Sequence, residues 1–235
     1  MLVHSSGGNI LNKQPFPLGG SSKDYDSKLS RANVINLIPE MNEDGSFKRV
    51  VSNEGLKAWQ TAGDGPIRSN LHLNSGFVYF VSGDALMRVD ANKSVSDLGD
   101  IFGSGRALIR NLGQPGDNEI IVWNGAGQAY SYDSGGLVGP IASNWQPSTH
   151  GDVLNERVFA TVDNENEVFY SDVSDATTYG ALAFFQAEEN ADNVVGIVRK
   201  QSTLFILGEE TCERWITSPD DSLPVRKIQG ATLAR

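Results

Sequence analysis

Cysteine is nearly absent from this sequence, since Cys212 is the only one among 235 residues. A single cysteine excludes an internal disulfide framework and a metal cluster held by several thiolates of one chain. We expect Cys212 to be a small core or strand residue. Long apolar runs are also missing, because none approaches the roughly 18 residues that a membrane helix needs. The first twenty residues lack a basic stretch followed by an apolar core, which predicts no secretory signal.

Positive charge is scarce as well. The chain has 19 Lys and Arg against 29 Asp and Glu, for a net charge of −10. The basic residues are scattered, and no cluster is longer than a pair such as Lys48 and Arg49. This argues against a protein that grips nucleic acid broadly through counterion release. An acidic surface is compatible with a channel through which DNA slides without sticking, because like charge repels phosphate.

What the sequence does contain is a repeated hairpin. In Gly76 to Asp90 an apolar run meets a Ser-Gly-Asp turn, and a second strand with alternating residues leaves it. The first strand of this pair is predicted to be buried and the second half-exposed. Three variants follow at intervals of roughly 40 residues, the period of a four-stranded propeller blade. They are Asn118 to Asp133, Glu156 to Asp172 and Ser202 to Thr217.

The repeat predicts an all-β fold, a β-propeller of four-stranded antiparallel blades within residues 34–235. Each unit would consist of a leading strand, the hairpin and an outer strand, followed by a Gly-rich connection. Four repeats and an N-terminal strand pair give about four to five blades. The stretch Leu223 to Arg235 is predicted to begin another unit, so the ring is expected to be incomplete. Either the chain is part of a longer one, or another subunit covers the open edge.

Three further segments carry local predictions. Residues 1–33 are polar and rich in Gly, Ser and Asn, which predicts an extended or flexible N-terminal arm. Asp44-Gly45 is a strong hairpin signal between two short strands. Residues Ala183 to Asn193 have the composition of one or two helical turns at a blade junction.

Several motifs resemble catalytic or binding sites without completing them. Asp133 to Gly136 resembles the nucleophile loop of serine proteases, but Tyr132 replaces a glycine and His72 lacks that family's flanking residues. Asp163 to Glu167 resembles the start of a calcium loop, but the glycine and the final bidentate glutamate are missing. Gly103 to Arg106 and Gly125 to Gly127 lack the third glycine and the helix of a nucleotide site. We interpret all four as turns.

The remaining candidate residues also favour structural interpretations. His4, His72 and His150 are too far apart in sequence to predict a zinc site. Consecutive carboxylates would point to opposite sides of a strand; these pairs are Glu188-Glu189 and Asp220-Asp221, while Glu209-Glu210 fits a hairpin tip. We expect Trp59, Trp123, Trp145 and Trp215 to be core anchors. The sequence therefore predicts no catalytic, cofactor-binding or metal-binding residue, no cofactor and no enzymatic activity.

A resemblance to a known family is carried by a series of segments in a fixed order. The chain resembles the N-terminal half of the packaged-DNA stabilisation proteins, or tail hub proteins, of short-tailed bacteriophages of the P22 type. The carrying segments are NVINLIPE (33–40), LKAW (56–59) with Ile67-Arg68, VYFVSGDALMRVD (78–90), LGDIFGSGRALI (98–109), FYSDVSDATTYGALAFFQAEENADNVVGIV (169–198) and LFILGEETCERW (204–215).

This resemblance implies a propeller subunit that assembles as a homo-oligomeric ring, usually of six copies, below the portal and its adaptor. Together with a tail needle or plug, such a ring closes the DNA exit channel; a tailspike or tail fibre is a further expected partner. Packaged DNA would pass without sequence-specific binding, and no membrane is involved. The expected location is the virion, after assembly in the host cytoplasm. Family members are about twice this long and are not enzymes.

Two other functions fit the predicted fold. The first is a carbohydrate-binding or glycan-processing propeller, which requires acids and aromatics converging at one end of its channel. The repeated motif of propeller sialidases is absent from the sequence. The second is a cellular protein-interaction propeller, whose gene would lie away from genes for phage portal and terminase proteins.

Overall fold

The computed structural model describes residues 37–42, 44, 47–52, 60–113, 119–187, 192–219, 223–230 and 233–234. None of these residues lies in a helix, and hence no described helix has the length and hydropathy for a membrane crossing. The chain divides into two compact units, Met1–Ala58 and Trp59–Arg235. We call them unit 1 and unit 2.

In unit 1 the structure describes a single hairpin. Its strands, β1 (Leu37–Met41) and β2 (Phe47–Ser52), pair antiparallel around a turn that includes Asp44. The hairpin predicted from Asp44-Gly45 is therefore confirmed. The N-terminal arm predicted for residues 1–33 lies outside the described residues.

In unit 2 four antiparallel sheets follow one another along the chain. Sheet 1 contains β3 (Ile67–His72), β4 (Val78–Ser82), β5 (Ala85–Val89) and β6 (Val95–Asp100); sheet 2 contains β7 (Leu108–Asn111), β8 (Ile120–Trp123), β9 (Ala129–Asp133) and β10 (Gly136–Val138). Sheet 3 contains β11 (Gly151–Leu154), β12 (Arg157–Thr161), β13 (Glu167–Ser171) and β14 (Tyr179–Gln186). Sheet 4 contains β15 (Val194–Lys200), β16 (Thr203–Gly208), β17 (Thr211–Thr217), β18 (Val225–Lys227) and β19 (Leu233–Ala234).

The strand order within the sheets is that of propeller blades. Each sheet runs from its first to its last strand in sequence order, and each predicted hairpin forms the second and third strands. The first strands β3, β7, β11 and β15 adjoin one another in succession. They are the inner strands around a common axis, and the last strands form the outer rim.

The core consists of layers between neighbouring sheets. Val158 and Ala160 of β12 pack toward sheet 2, whereas Phe159 between them packs toward sheet 4. A strand buried on both faces needs apolar residues at consecutive positions, because successive side chains point to opposite faces. The strands of these hairpins therefore have continuous apolar sequences. A third layer, around Tyr79 and Ile120, joins sheets 1 and 2. Among the described residues, no hydrophobic cluster joins sheet 1 to sheet 4.

Three local predictions were wrong. Strand β5 is not half-exposed, because Leu86 is buried between sheets 1 and 2, and Met87 and Val89 are buried on the opposite face of sheet 1. The helical turns expected from Ala183 are replaced over the described residues by the end of β14, where cross-strand pairing with β13 outweighs the helix propensity of alanine. The stretch from Leu223 does not begin another unit, because β18 and β19 both pair with β17 and complete sheet 4.

Candidate functional site

The inner strands place one buried carboxylate where three sheets meet. Asp152 on β11 is 7% exposed. Its Oδ1 accepts a hydrogen bond from Arg110 Nε on β7 (3.2 Å), and its Oδ2 accepts one from the backbone N–H of Arg199 on β15 (2.7 Å). A buried charge is tolerated when it is paired and fully hydrogen-bonded. Asp152 therefore fastens sheets 2, 3 and 4 together near the axis.

A buried cation, Arg68, links sheets 1 and 2 as Asp152 links sheets 2, 3 and 4. The side chain of Arg68 on β3 is 8% exposed, and its guanidinium lies 3.6 Å from Asp84. It donates to the carbonyls of Gly83 (3.0 Å), Gly105 (2.9 Å) and Asn124. The planar guanidinium suits such divergent acceptors, whereas a lysine could not reach them all. Arg68 thus holds two blades together, and its donors are not free for a ligand.

A cleft of about 670 Å³ opens beside Arg68, between sheets 1 and 2. It is lined by Ile67, Asp84, Ser104 and Arg106 together with neighbouring glycines. Because Arg68 is committed to backbone carbonyls, the cleft lacks a set of convergent polar groups like those that orient a substrate. It offers a contact surface rather than a reaction site.

The hairpin tip of each sheet is bonded to the segment that leads into the same sheet. In sheet 2 this bond comes from a side chain, since Asn124 Nδ2 donates to the carbonyl of Phe102. The other three bonds are made by backbone N–H groups: Gly83 to Pro66 O (2.9 Å), Asp163 to Pro147 O (2.9 Å) and Glu209 to Asn193 O (3.1 Å). These bonds fix the loops at one end of unit 2 and make that end a firm contact surface.

At the tip of sheet 4 the carboxylate of Asp192 strengthens this bond. Its Oδ2 accepts hydrogen bonds from the N–H groups of Glu210 (2.8 Å) and Thr211 (3.0 Å). Burial by itself would raise the pKa of Asp192, but these bonds and the one from the Thr211 hydroxyl outweigh it and hold the pKa below its ordinary value. The tip is therefore held by a charged acceptor at neutral pH.

The tryptophans lie in the layers between sheets. The ring of Trp145 contacts Phe169 edge-on (5.0 Å between centroids) and Tyr179 (5.3 Å) between sheets 2 and 3. Trp215 stacks against Phe185 at 4.5 Å between sheets 3 and 4. Trp123 is fully buried. The prediction that these three are core anchors is confirmed, and Trp59 lies outside the described residues.

The protease-like elements are separated in the structure. Ser134 lies in the turn between β9 and β10, where Asp133 Oδ1 accepts a hydrogen bond from the N–H of Gly135 (2.6 Å). His72 ends β3 in a different sheet, where it pairs with Val78. No hydrogen bond joins Ser134 to His72, and a nucleophilic serine needs its base within such a distance. The interpretation of residues 133–136 as a turn is confirmed.

Sequence analysis missed one group with the composition of a catalytic triad. Thr149 Oγ1 donates to Asp163 Oδ1 (2.9 Å) and lies 3.0 Å from His150 Nδ1. In a hydrolase the histidine would stand between the nucleophile and the acid. Here the hydroxyl donates directly to the carboxylate, so the group locks a loop and leaves no activated nucleophile.

The other candidate motifs lie in hairpin tips or connecting segments. Asp163 to Glu167 forms the tip between β12 and β13, and Glu209-Glu210 forms the tip between β16 and β17. Gly103 to Arg106 leads into β7, and Gly125 to Gly127 forms the tip between β8 and β9. Within the described ranges, no group of three or more His, Cys, Asp or Glu could hold a metal ion. His4, Glu188-Glu189 and Asp220-Asp221 lie outside those ranges.

Strand β17 contains a buried ion pair that the sequence analysis did not single out. Glu213 is 2% exposed, and its carboxylate accepts from Lys227 Nζ (2.8 Å) and Trp215 Nε1 (2.8 Å). Its position between the inward-facing residues of an apolar strand was the available signal. The neighbouring Cys212 is a half-buried strand residue, as predicted; burial and the charge of Glu213 raise the pKa of its thiol. A raised pKa leaves this thiol protonated and unreactive at neutral pH.

Comparisons with solved structures find matches at low sequence identity. A computationally designed protein called Ika4 matches 70% of this chain and 100% of its own, with TM-score 0.50 and 12% identity. A streptogramin B lyase matches over 82% of this chain and 61% of its own length, with TM-score 0.49 and 10% identity. The virginiamycin B lyase of Staphylococcus aureus matches over 82% of this chain and 62% of its own length, with TM-score 0.48 and 13% identity. The chain spans about 61% of the length of the first of these lyases.

The four successive antiparallel sheets define the class of protein, an all-β propeller whose blades are fastened by buried polar groups. In sequence, no curated protein matches the chain. A family model matches residues 14–235, and its description is "Bacteriophage P22 Gp10, beta-propeller" in the phage stabilisation family. The chain belongs to this family. It is a phage structural protein with a role in DNA stabilisation, located in the virion.

Proposed function

We propose that this protein forms part of a ring in the tail of a short-tailed phage, beneath the portal and its adaptor. In this position it closes the DNA exit channel after packaging, together with a needle or plug. The observation that carries the proposal is the family match over residues 14–235. The ring has six copies, contacts the adaptor and a tailspike or fibre, and assembles in the host cytoplasm.

The construction of unit 2 supports a mechanical role. A ring that resists the pressure of packaged DNA needs subunits whose blades do not slide against one another. Asp152 and Arg68 tie neighbouring blades through buried charged hydrogen bonds, which are about twice as strong as neutral ones. The function requires no chemical step, and accordingly we assign the chain no enzymatic activity.

The net charge of −10 suits a protein that DNA passes. Repulsion between the acidic surface and phosphate lowers the chance that DNA adheres while it leaves the head. The glycan-binding alternative gains no support from the tryptophans, because Trp123 and Trp215 are buried and Trp145 packs between sheets. They do not form an exposed stacking platform.

A deletion of the gene in the phage that encodes this chain tests the proposal. Heads made without the protein should fill with DNA and then lose it, so that nuclease-protected genomes fall while the number of heads stays constant. Expression of the chain in trans should restore both protected DNA and a complete tail in electron micrographs. Particles that retain DNA and carry a complete tail without the protein would contradict the proposal.

A further inference from the structure

The outward side of sheet 4, which faces away from sheet 3, has apolar residues at its centre. Cross-strand pairs place Val198 opposite Phe205, and Leu207 opposite Cys212, on this side. Val198 is 48% exposed, and the other three are half-buried. Leu204 and Ile206, which alternate with them along β16, are buried against sheet 3. Sheet 4 therefore has a second apolar surface with no other described sheet of unit 2 upon it.

The charges on that side are all positive. Arg214 lies opposite Phe205, and Lys200 lies opposite Thr203. Arg226 lies opposite Ile216 on the same side. All three cations are exposed, and none forms an ion pair with a described residue. We call this surface the basic face; its paired rows contain no acidic residue, although the chain as a whole is strongly acidic.

The outer strand of sheet 3 carries an apolar protrusion. Phe169 of β13 pairs with Phe184 of β14, and Ser171 of β13 pairs with Tyr179 of β14. Between these two pairs β13 spans two residue steps, whereas β14 spans five. The three extra residues on β14 bulge outward, with Leu182 85% exposed and Phe184 beside it 40% exposed. We call the segment 180–184 the apolar knob.

The other outer strands lack such a feature. β6 carries Asp97 and Asp100, and β10 and β18 are only three residues long. Charge and short length are the usual protections of an outer strand against unwanted contacts. An uncharged outer strand of eight residues with a nearly fully exposed leucine is typical of a binding surface.

Acidic residues border both ends of the apolar knob. Asp172 and Asp175 precede β14 in the chain. At the other end of β14, Glu167 lies opposite Gln186, and Glu165 lies two residues before Glu167 in the turn between β12 and β13. Burial alone would raise the pKa of Asp175, but hydrogen bonds from Thr177 and Thr178 outweigh it and lower the pKa. Arg157, the cation bonded to the carbonyl of Ser171, lies over the ring of Tyr170.

We propose that the apolar knob of one copy binds the basic face of a second copy. Exposed apolar residues are surrounded by acids on the first surface and by cations on the second, so the two are complementary in both respects. Two basic faces, or two acid-bordered knobs, would repel each other. The contact is therefore head-to-tail, the type that produces a ring or a filament. This inference rests on the proposed ring and names the surfaces that build it.

Charge reversal on each surface tests the contact in the purified chain. The knob variant carries Glu165→Lys and Asp172→Lys, and the face variant carries Lys200→Glu and Arg214→Glu. Each alone should lower the association constant in sedimentation equilibrium by at least about tenfold, because like charges then meet. An equimolar mixture should associate again, since every knob then finds an opposite face. Leu182→Lys should weaken association to a similar degree.

Matched controls separate these effects from general changes in charge. Val138→Lys alters another exposed apolar residue of an outer strand (52% exposed), and Lys93→Glu reverses an exposed cation in the turn between β5 and β6. Both should associate like the unchanged chain, and circular dichroism should show that every variant is folded.

Three results would overturn the inference. The first is an unchanged chain that stays monomeric at about 100 μM, a concentration at which a contact with a dissociation constant of about 1 μM is largely formed. The second is a reversal variant that associates normally. The third is a mixture of folded variants that stays apart. The deletion of the phage gene measures the retention of DNA in heads. It therefore tests the proposed function independently of this contact.

Discussion

At the scale of single residues, the spacing between two blades depends on a glycine, which has no side chain. Gly151 on β11 lies against the indole of Trp123 and the backbone of Phe159. Its backbone is not in the left-handed region, so the requirement for glycine is one of space. The distance between sheets 2 and 3 at the inner strands is therefore set by a missing Cβ.

The substitution Gly151→Ala should destabilise the protein by about 1 to 3 kcal/mol, the usual cost of forcing an extra group into a packed core. The new Cβ would collide with the ring of Trp123 and lie 2.6 Å from the carbonyl oxygen of Phe159. Urea unfolding followed by tryptophan fluorescence measures the change.

Gly196→Ala is the matched control in another inner strand. A Cβ at Gly196 meets only Leu207 Cδ1, at 3.8 Å. This variant should unfold at nearly the same urea concentration as the unchanged chain. Equal losses in both variants would show that packing against Trp123 does not limit position 151.

At the scale of elements, the hairpin tips connect each blade to the chain segment that precedes it. These bonds are formed inside one repeat, so every sheet is closed at one end by its own leading segment. The joints between blades are different in kind, because they rely on buried charges and aromatic layers.

The tip of sheet 4 gives a pH-dependent prediction. The folded-state pKa of Asp192 lies below its ordinary value of 3.8, so its stabilising effect is present above that value and is lost as the pH falls through the folded-state pKa. Asp192→Asn should cost about 1 kcal/mol at pH 7, a modest figure because the carboxylate is partly exposed to solvent. The difference should shrink as the pH falls below 3.8.

Urea unfolding of both proteins between pH 7 and pH 2 measures this difference. Asp64→Asn serves as the control, since Asp64 is exposed near the same end of unit 2. It should follow the unchanged chain at every pH. A stability difference for Asp192→Asn that stays constant down to pH 2 would contradict the assigned role of the carboxylate.

At the scale of the whole molecule, charge decides how the protein meets DNA. The net charge of −10 is spread over the chain, and the basic face is the largest group of cations that we find in sheet 4. Three cations neutralise few phosphates compared with the six to ten contacts of a typical DNA-binding protein. The molecule as a whole should repel duplex DNA.

We therefore expect no binding of the purified chain to a 30-base-pair duplex in about 50 mM salt, a condition that favours electrostatic binding. Fluorescence anisotropy of labelled DNA measures this, with a basic protein of similar mass as the positive control. Binding that weakens steeply with added salt would reveal a basic surface that the described residues do not show.

Much of the fold could be predicted because the hairpins are local. Each central pair of strands, such as β4 with β5, is specified by an apolar run, a turn and a second run within fifteen residues. The errors arose where pairing partners decide the outcome. The segment from Ala183 to Asn193 favours helical turns by composition, but its first residues, Phe184 to Gln186, pair with β13.

The sequence by itself determined the blade, its period and its acidic charge, because strand alternation, turn chemistry and composition act over short distances. Only the tertiary structure decided which polar residues became joints. Asp152 and Arg68 are ordinary charges in sequence, and they become buried links because distant strands bring carbonyls and counter-charges around them. Burial and pairing belong to the assembled sheets, and no local pattern encodes them.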